Sequence, residues 1–324
     1  MTAAPTYVVT GAAGFVGSHL AAALLDRGAA VVGIDAFTDY YDRDRKERNL
    51  ASLRHRAGFR LVEGDLVDLP LAELLATAAG VFHLAAQPGV RGSWGQTFAV
   101  YVRDNLVATQ RVFEASAAAG VRVVFASSSS VYGNAEAHPT REDATPRPVS
   151  PYGVTKLCCE DLARAYAGEA GLDFVALRYF TVYGPRQRPD MAIQRIGTAL
   201  VTGATFQLFG TGEQSRDVTY VGDAVRATAA AMEGAPSGAI YNVGGGSETS
   251  LREIIHLCER LSGLTLALDS APAAAGDVRR TAADISRIRA ELGWVPQVAL
   301  EEGVARQLAE TGALRGTGAA SAAR

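Results

Sequence analysis

The sequence predicts an α/β fold, a doubly wound parallel sheet with a smaller C-terminal lobe. Three observations carry that expectation. Short apolar runs rich in Val, Leu and Phe recur through the first ~180 residues. Each is too short for a helix and continuous enough for a strand buried on both faces. Amphipathic Ala/Leu stretches such as SHLAAALLDRGA and TQRVFEASAAAG separate them, and such alternation favours parallel strands joined by right-handed crossovers. After Gly184 the alternation loosens into turn-rich, mixed segments.

The runs are YVVT (Tyr7–Thr10), VVGID (Val31–Asp35), FRLVEGD (Phe59–Asp65), VFHLA (Val81–Ala85), VRVVFA (Val121–Ala126) and FVALRYF (Phe174–Phe180). Residues 1–180 are therefore assigned to the sheet domain and 181–310 mainly to the smaller lobe, with a return to the sheet domain near 217–243. From Thr311 the sequence TGALRGTGAASAAR is small, polar and aperiodic, and 311–324 reads as a disordered tail.

Hydrophobic residues make up 48% of the 324, enough for a sizeable core. The net charge of −3 gives no global attraction to nucleic acid or membrane. Cys158, Cys159 and Cys258 form neither a disulfide framework nor a metal spacing. They suit a reducing compartment, so a cytoplasmic location is expected. The first strand begins near Tyr7, which leaves no room for a signal peptide. No apolar run reaches the ~18–20 residues of a membrane helix. The five histidines are scattered, so no metal is expected. The run RDRKERNLASLRHR reads as a solvated helix.

The first strand leads into TGAAGFVGSHL, where Gly11, Gly14 and Gly17 form G-x-x-G-x-x-G. Gly11 allows a tight turn, Gly14 lets the backbone approach a pyrophosphate, and Gly17 lets the helix pack on the strand. The second strand ends in Asp35, 24 residues after Gly11. An acid there accepts both ribose hydroxyls and repels a 2′-phosphate, so NAD is expected over NADP. The pattern is that of a Rossmann-type dinucleotide domain. Asp65 and Leu66, at the third strand's end, are expected to flank the adenine. His83 is assigned no role.

The fifth run ends in FASSSSVYG (Phe125–Gly133), and SPYGVTK then places Tyr152 and Lys156 four apart where a helix begins. At i and i+4 they share a face. An ammonium beside a phenol favours the phenolate, and the same lysine can hold a cofactor ribose. With TGAAGFVG, Asp35, GDL, HLAA, SSSSVYG, SPYGVTK, RYFTVYGP and SRDVTYVGD, the chain resembles the extended short-chain dehydrogenase/reductases, the NAD-dependent nucleotide-sugar epimerase/dehydratase family, from about Thr6 to Leu308. The resemblance implies transient oxidation at the sugar C4, with Tyr152 taking the hydroxyl proton. Ser128, the third residue before Val131, would bond O4, with Ser127 and Ser129 as supporting hydroxyls. It further implies cofactor contacts at Phe15, Val16, Leu84, Ala85, Ala86 and Tyr179, beside the glycines, Tyr152 and Lys156.

Dehydratases and decarboxylases of the family look like T-D-E-V-Y-G and T-S-E-V-Y-G here, with a carboxylate where this chain has Ser130. Elimination needs an acid and a base, and Ser129 and Ser130 supply neither. What remains is hydride out and hydride back, a 4-epimerisation. Most members have Asn where Thr181 stands; Thr181 followed by PRQRPDM, and the early DYYDRDRKERNL, resemble UDP-glucuronate 4-epimerases. Arg188 is a fixed guanidinium able to grip a carboxylate bidentately. Thr181 and Arg188 are expected to hold the C6 carboxylate charged and misaligned, suppressing loss of CO₂ from the β-keto acid. A neutral hexose would leave Arg188 unpaired. The alternatives for Arg186 and Arg188 are a solvated basic loop or diphosphate contacts.

Arg216 in SRDVTYVGD, and Arg279, are implied diphosphate ligands. Arg91 follows the fourth strand and is expected at carboxylate or phosphate. Gln207 and Phe209 either hold uracil or form an ordinary strand with one buried aromatic. The expected reaction is UDP-glucuronate to UDP-galacturonate by a homodimer. A UDP-glucuronate decarboxylase, a UDP-glucose 4-epimerase and a non-catalytic NAD-sensing protein are the alternatives. The last usually lacks the tyrosine or lysine that this chain keeps.

Overall fold

The computed structural model describes residues 4–272, 276 and 278–314. The chain runs β1 (Thr6–Thr10), α1 (Phe15–Asp26), β2 (Ala30–Asp35), α2 (Arg43–Leu50), β3 (Phe59–Glu63), α3 (Leu71–Leu75) and β4 (Gly80–His83). It continues through α4 (Phe98–Tyr101), a π-helical turn (Val102–Val107), α5 (Ala108–Ala119), β5 (Val123–Ser128), α6 (Pro151–Ala170) and β6 (Phe174–Tyr179). The remainder is β7 (Thr181–Tyr183), α7 (Ala192–Thr202), β8 (Phe206–Phe209), β9 (Ser215–Tyr220), α8 (Val221–Gly234), β10 (Ala239–Val243), β11 (Glu248–Ser250), α9 (Leu251–Ser262), β12 (Leu268–Ala271), β13 (Arg280–Thr281), α10 (Ser286–Leu292) and α11 (Leu300–Thr311).

Seven parallel strands form one sheet in the order β10-β6-β5-β4-β1-β2-β3. Neighbouring residues of one strand enter different cores. Val9, Val31, Phe82 and Val124 belong to one apolar cluster, while Val8, Val32, Val81 and Val123 belong to the other. That is the period-2 alternation of a strand covered on both faces, and it explains the unbroken apolar runs. Helices α1 and α8 pack together against one face, and α3, α5 and α6 against the other.

The strand order reverses between β1 and β4, so the loops after these two strands diverge. A crevice opens there, at the strands' carboxyl ends. In the anticipated return near 217–243, α8 and β10 join the large sheet layer. β9 does not: it pairs with β7, β11 and β13 in a separate small sheet. The expected tail boundary also needs correcting. Thr311 closes α11 and Ala313 is buried, because the last helix caps the second lobe's core. Residues 315–324 of that expected tail lie outside the described residues. Among the described residues no helix is long and apolar enough to cross a membrane.

Candidate active site

The crevice is a cavity of about 730 Å³. Its floor at one end is the glycine turn. Gly11 has φ +69, and a Cβ on Gly17 would lie 2.1 Å from the Gly11 carbonyl oxygen. The oxygen belongs to the backbone and cannot swing aside, so no side chain could fit there without moving the helix off the strand. Gly14 is the N-cap of α1 and offers no side-chain acceptor. The first N–H groups of this helix are left for an anion, with the favourable end of the helix dipole behind them.

Asp35 ends β2 beside that turn. Its Oδ2 accepts the Ala13 N–H at 3.0 Å and its Oδ1 accepts the Phe37 N–H at 2.9 Å. Two backbone donors thus fix the carboxylate and leave its other lone pairs for a ribose. The charged run on α2 is not simply solvated. Lys46, Asn49 and Leu50 are buried at i, i+3, i+4 spacing. Lys46 Nζ sits 3.8 Å from Asp35 and donates to the Thr38 carbonyl at 2.8 Å. Burial pulls its pKa down, against the opposing pull of Asp35. Asn49 Nδ2 donates to the Ala13 carbonyl at 2.9 Å, bracing the glycine turn from outside. The spacing was the available signal, hidden by a run that looked wholly polar.

Asp65 and Leu66 line the crevice, and Asp65 is held by Arg103 at 2.6 Å. The loop after β4 brings Leu84, Ala85, Ala86 and Arg91 to the wall. Tyr101 Oη donates to the Pro88 and Gly89 carbonyls (2.9 and 2.8 Å), and Asn105 Oδ1 accepts the Gln87 N–H at 2.7 Å. Asn105 lies in the π-helical turn and also donates to Thr155 Oγ1 at 3.0 Å, tying this loop to α6. His83 has a purely structural explanation. Thr10 Oγ1 accepts the Leu84 and Ala85 N–H groups, so its own hydrogen goes to His83 Nδ1 at 2.8 Å. His83 Nε2–H then donates to Thr109 at 2.9 Å. Burial pushes the imidazole down to about 3, so it stays neutral.

Tyr152 and Lys156 both line the crevice from the first two turns of α6. Ser150 caps that helix through the Gly153 N–H at 3.1 Å, and Pro151 occupies its first position. Lys156 Nζ donates to the Ala126 carbonyl at 2.9 Å, leaving two further N–H groups. The Tyr152 ring meets Tyr101 edge-on at 6.3 Å.

The serines divide. Ser128 Oγ accepts the Ser130 N–H at 3.1 Å, which leaves its own O–H to donate into the crevice. Ser127, expected as a supporting hydroxyl of the catalytic group, instead donates to the buried Glu160 carboxylate at 2.6 Å. Ser127 also lines the crevice, but its hydroxyl hydrogen is committed to the core network on the α6 side of the sheet. There Arg178 meets Glu160 through two bonds of 2.9 and 2.7 Å, with both side chains at most 2% exposed. Ser129 and Ser130 line the crevice and bring no carboxylate to it. Tyr179 Oη bonds Thr228 Oγ1 at 2.5 Å from the opposite wall.

Thr181 and Arg188 line the same crevice. Arg188 is not waiting for a partner, however. Its Nε and Nη2 donate to the two oxygens of Asp190, each at 3.0 Å. The expectation that a neutral sugar would leave this arginine unpaired is therefore corrected: a carboxylate two residues away already satisfies it. Arg186, with φ +65, points elsewhere, toward Ser18 of α1.

At the far end Arg91 stands over the Phe209 ring at 4.2 Å and Arg195 over Phe206 at 4.9 Å. Gln207 also lines this end. Arg216 and Arg279 are not among the lining residues; Arg216 Nη1 donates to the Ser215 carbonyl at 2.8 Å and Arg279 is exposed. The cationic lining comes instead from Arg91 and Arg195. Sequence reading passed over Arg195 because a single arginine near the start of a helix carries no motif. Burial, and then Arg91, pull its pKa down, so this end favours an anion. Among the described residues no group of three or more His, Cys, Asp or Glu is placed to hold a metal.

Comparison with known proteins agrees with this geometry. Residues 7–244 match the NAD dependent epimerase/dehydratase family. A Bacillus subtilis protein described as an uncharacterised UDP-glucose epimerase, YtcB, is 41% identical over 306 residues, covering 93% of this chain and 96% of that protein. The crystal structure of a Bacillus cereus UDP-glucuronic acid 4-epimerase, in complex with UDP-glucuronic acid and NAD, is 40% identical. It superposes with a TM-score of 0.92 over 95% of this chain and 99% of that one. MoeE5 in complex with UDP-glucuronic acid and NAD is 45% identical with a TM-score of 0.85, covering 94% and 98%; it is also known in complex with UDP-glucose and NAD. With the glycine turn, Tyr152 and Lys156 on one crevice, the chain belongs to the NAD dependent epimerase/dehydratase family.

Proposed function

We propose that this chain inverts C4 of a UDP-hexuronate, converting UDP-glucuronate to UDP-galacturonate with NAD as its resident cofactor. The observation that carries the reading is the sharing of one crevice by Ser128, Tyr152 and Lys156 with Thr181 and Arg188. Gly11, Gly14, Gly17, Asp35 and Lys46 would hold the dinucleotide. When bound, its nicotinamide supplies a hydride acceptor that later returns the hydride. Tyr152 takes the 4-hydroxyl proton and later gives one back. Ser128 donates to O4, and Lys156, tethered by Ala126, sets the charge beside the phenol. Thr181 and the outer edge of Arg188 hold the C6 carboxylate, whose fixed orientation suppresses loss of CO₂ from the 4-keto sugar. Arg91 and Arg195 meet the diphosphate, and Gln207 with Phe209 the uracil.

Elimination is disfavoured because, among the described residues, the carboxylates lining the crevice are engaged. Asp190 is bound by Arg188, Asp65 and Asp104 by Arg103, and Asp35 by backbone N–H groups. One observation favours UDP-glucose as a second substrate: Arg188 has a partner even without a uronate. Incubation with UDP-glucuronate, followed by mass and proton NMR of the product, tests the reading. Unchanged mass with an inverted C4 is expected. Loss of CO₂ would make the protein a decarboxylase, and turnover of UDP-glucose alone would remove the carboxylate from the argument.

The chain also reads as a homodimer through α5, α6 and the segment before them. Val100, Val107 and Val154 stand 41–45% exposed there, an apolar face that suits a second copy. Sedimentation showing only monomer at micromolar concentration would overturn it. Three free cysteines suit a reducing, cytoplasmic setting, which cell fractionation would check.

A further inference from the structure

We propose that Asp190, steadied by Tyr40, is a resident carboxylate that sets how far the crevice prefers a charged sugar over a neutral one. The inference rests on the reading of Arg188 as the sugar-carboxylate ligand. The arrangement is local and rigid. Arg188, Pro189, Asp190 and Met191 form a turn closed by the Met191 N–H to the Arg188 carbonyl at 3.2 Å. Proline at its second position presets the backbone and folds Asp190 back onto Arg188. The preceding Gln187 is buried and pinned: its Nε2 donates to the Val182 carbonyl at 3.0 Å, and its Oε1 accepts from Gln307 at 2.7 Å.

The guanidinium presents five N–H groups. Asp190 takes the Nε–H and one Nη2–H. Three remain, and two of them, one on Nη1 and one on Nη2, share the terminal edge, enough for a second carboxylate. Tyr40 Oη donates to Asp190 Oδ2 at 3.2 Å, and Tyr40, Arg188 and Asp190 all line the crevice. Burial, and then Asp190, push the Tyr40 phenol well above its ordinary value, so it remains a neutral donor near pH 7.

The consequence is a specificity compressed from both ends. A uronate approaches an arginine whose charge is already balanced, and meets the repulsion of a like charge across the guanidinium. A neutral hexose suffers no penalty for leaving a half-buried arginine unpaired, a penalty that normally makes such a site selective. Asp190 thus weakens selection for the acid sugar without contacting the reacting atoms.

The test measures kcat/KM for UDP-glucuronate and for UDP-glucose in the wild type and in Asp190→Asn, with dissociation constants for both sugars. Asp190 is 39% exposed, so the variant should fold, and a melting curve checks this. The ratio of uronate to hexose kcat/KM is expected to rise by about tenfold or more, chiefly through KM. An unchanged ratio, or one that falls because Arg188 has lost its orientation, would overturn the proposal. Absence of uronate turnover by the wild type would fail the substrate reading instead; the dissociation constants of the variant would then still show whether Asp190 excludes the acid sugar.

Discussion

Ser127 and Ser128 are chemically identical neighbours with opposite duties, and paired substitutions separate them. Ser127→Ala removes one donor to the Glu160 carboxylate, whose Oε1 keeps its bond from Arg178 Nε at 2.9 Å. A hydrogen bond to a charged group contributes about 1.5–3 kcal/mol. With Arg178 still in place the lower end applies, about 1.5 kcal/mol, or roughly 2 °C in Tm for a chain of 324 residues. Its kcat should stay within about threefold, because the Ser127 hydroxyl, though on the crevice wall, donates to Glu160 and not to the sugar. Ser128→Ala leaves only the Ser130 N–H without its acceptor. That group belongs to a half-buried residue within reach of water, so the stability cost stays below about 1 kcal/mol. Its kcat should fall about 10²-fold, as when one donor to a developing oxyanion is removed. The assay is turnover of UDP-glucuronate by NMR beside thermal melts of the same preparations. If Ser127→Ala lost more activity than Ser128→Ala, or Ser128→Ala lost stability with kcat intact, the division of the serines would be wrong.

Gly17→Ala would place a Cβ 2.1 Å from the Gly11 carbonyl oxygen. Relief requires the start of α1 to move by about an ångström, at a cost of about 1–3 kcal/mol. NAD affinity by calorimetry should drop at least about tenfold, and wild-type affinity with wild-type stability would refute the pyrophosphate turn. Asp217 is 2% exposed and accepts the Ala283 N–H at 3.0 Å, and burial pushes its carboxyl up to about 6 from 3.8. A raised pKa in the folded state means the proton is bound more tightly there. Its stabilisation is full below about 4 and is lost as pH rises through 6. Denaturant unfolding of the wild type, relative to Asp217→Asn, should gain on the order of 1 kcal/mol from pH 7 to pH 5; a loss over that range would reverse the assignment.

Strands and the dinucleotide turn were legible because their signals are local. Valine-rich runs bounded by helices, and three glycines at fixed spacing, state their structure within a dozen residues. Ser127 lines the crevice as Ser128 does, but the sequence cannot say which hydroxyl of a serine run is drawn to a buried Glu–Arg pair from α6 and β6. Lys46 and Asn49 were lost in a run whose polarity suggested solvent, though their spacing marked one buried face. Arg195 had no motif at all; only the fold lays its helix beside β8. Arg188 was placed correctly on the crevice, yet its partner was missed. Asp190 stands two residues away in the sequence, and only the turn through Pro189 makes the contact.

The same loop explains how the sugar end is held relative to the cofactor end. His19 of α1 donates from Nε2 to the Pro185 carbonyl at 2.9 Å, and burial pushes its imidazole down to about 4, so the contact persists unprotonated near neutral pH. Arg186 donates its backbone N–H to Glu310 of α11 at 2.5 Å, and Gly184 donates to Gln307 at 2.8 Å. Tyr40, five residues beyond Asp35, closes the circuit at Asp190. The segment carrying Arg188 is therefore bound to the first helix, the last helix and the loop after β2. Such a segment resists opening as a flap, since several hydrogen bonds on three elements would break together. Rotation of a 4-keto sugar between two hydride transfers must then use space already present in the crevice. The end where Arg91 and Arg195 stack on Phe209 and Phe206, proposed above for the diphosphate, is the natural pivot.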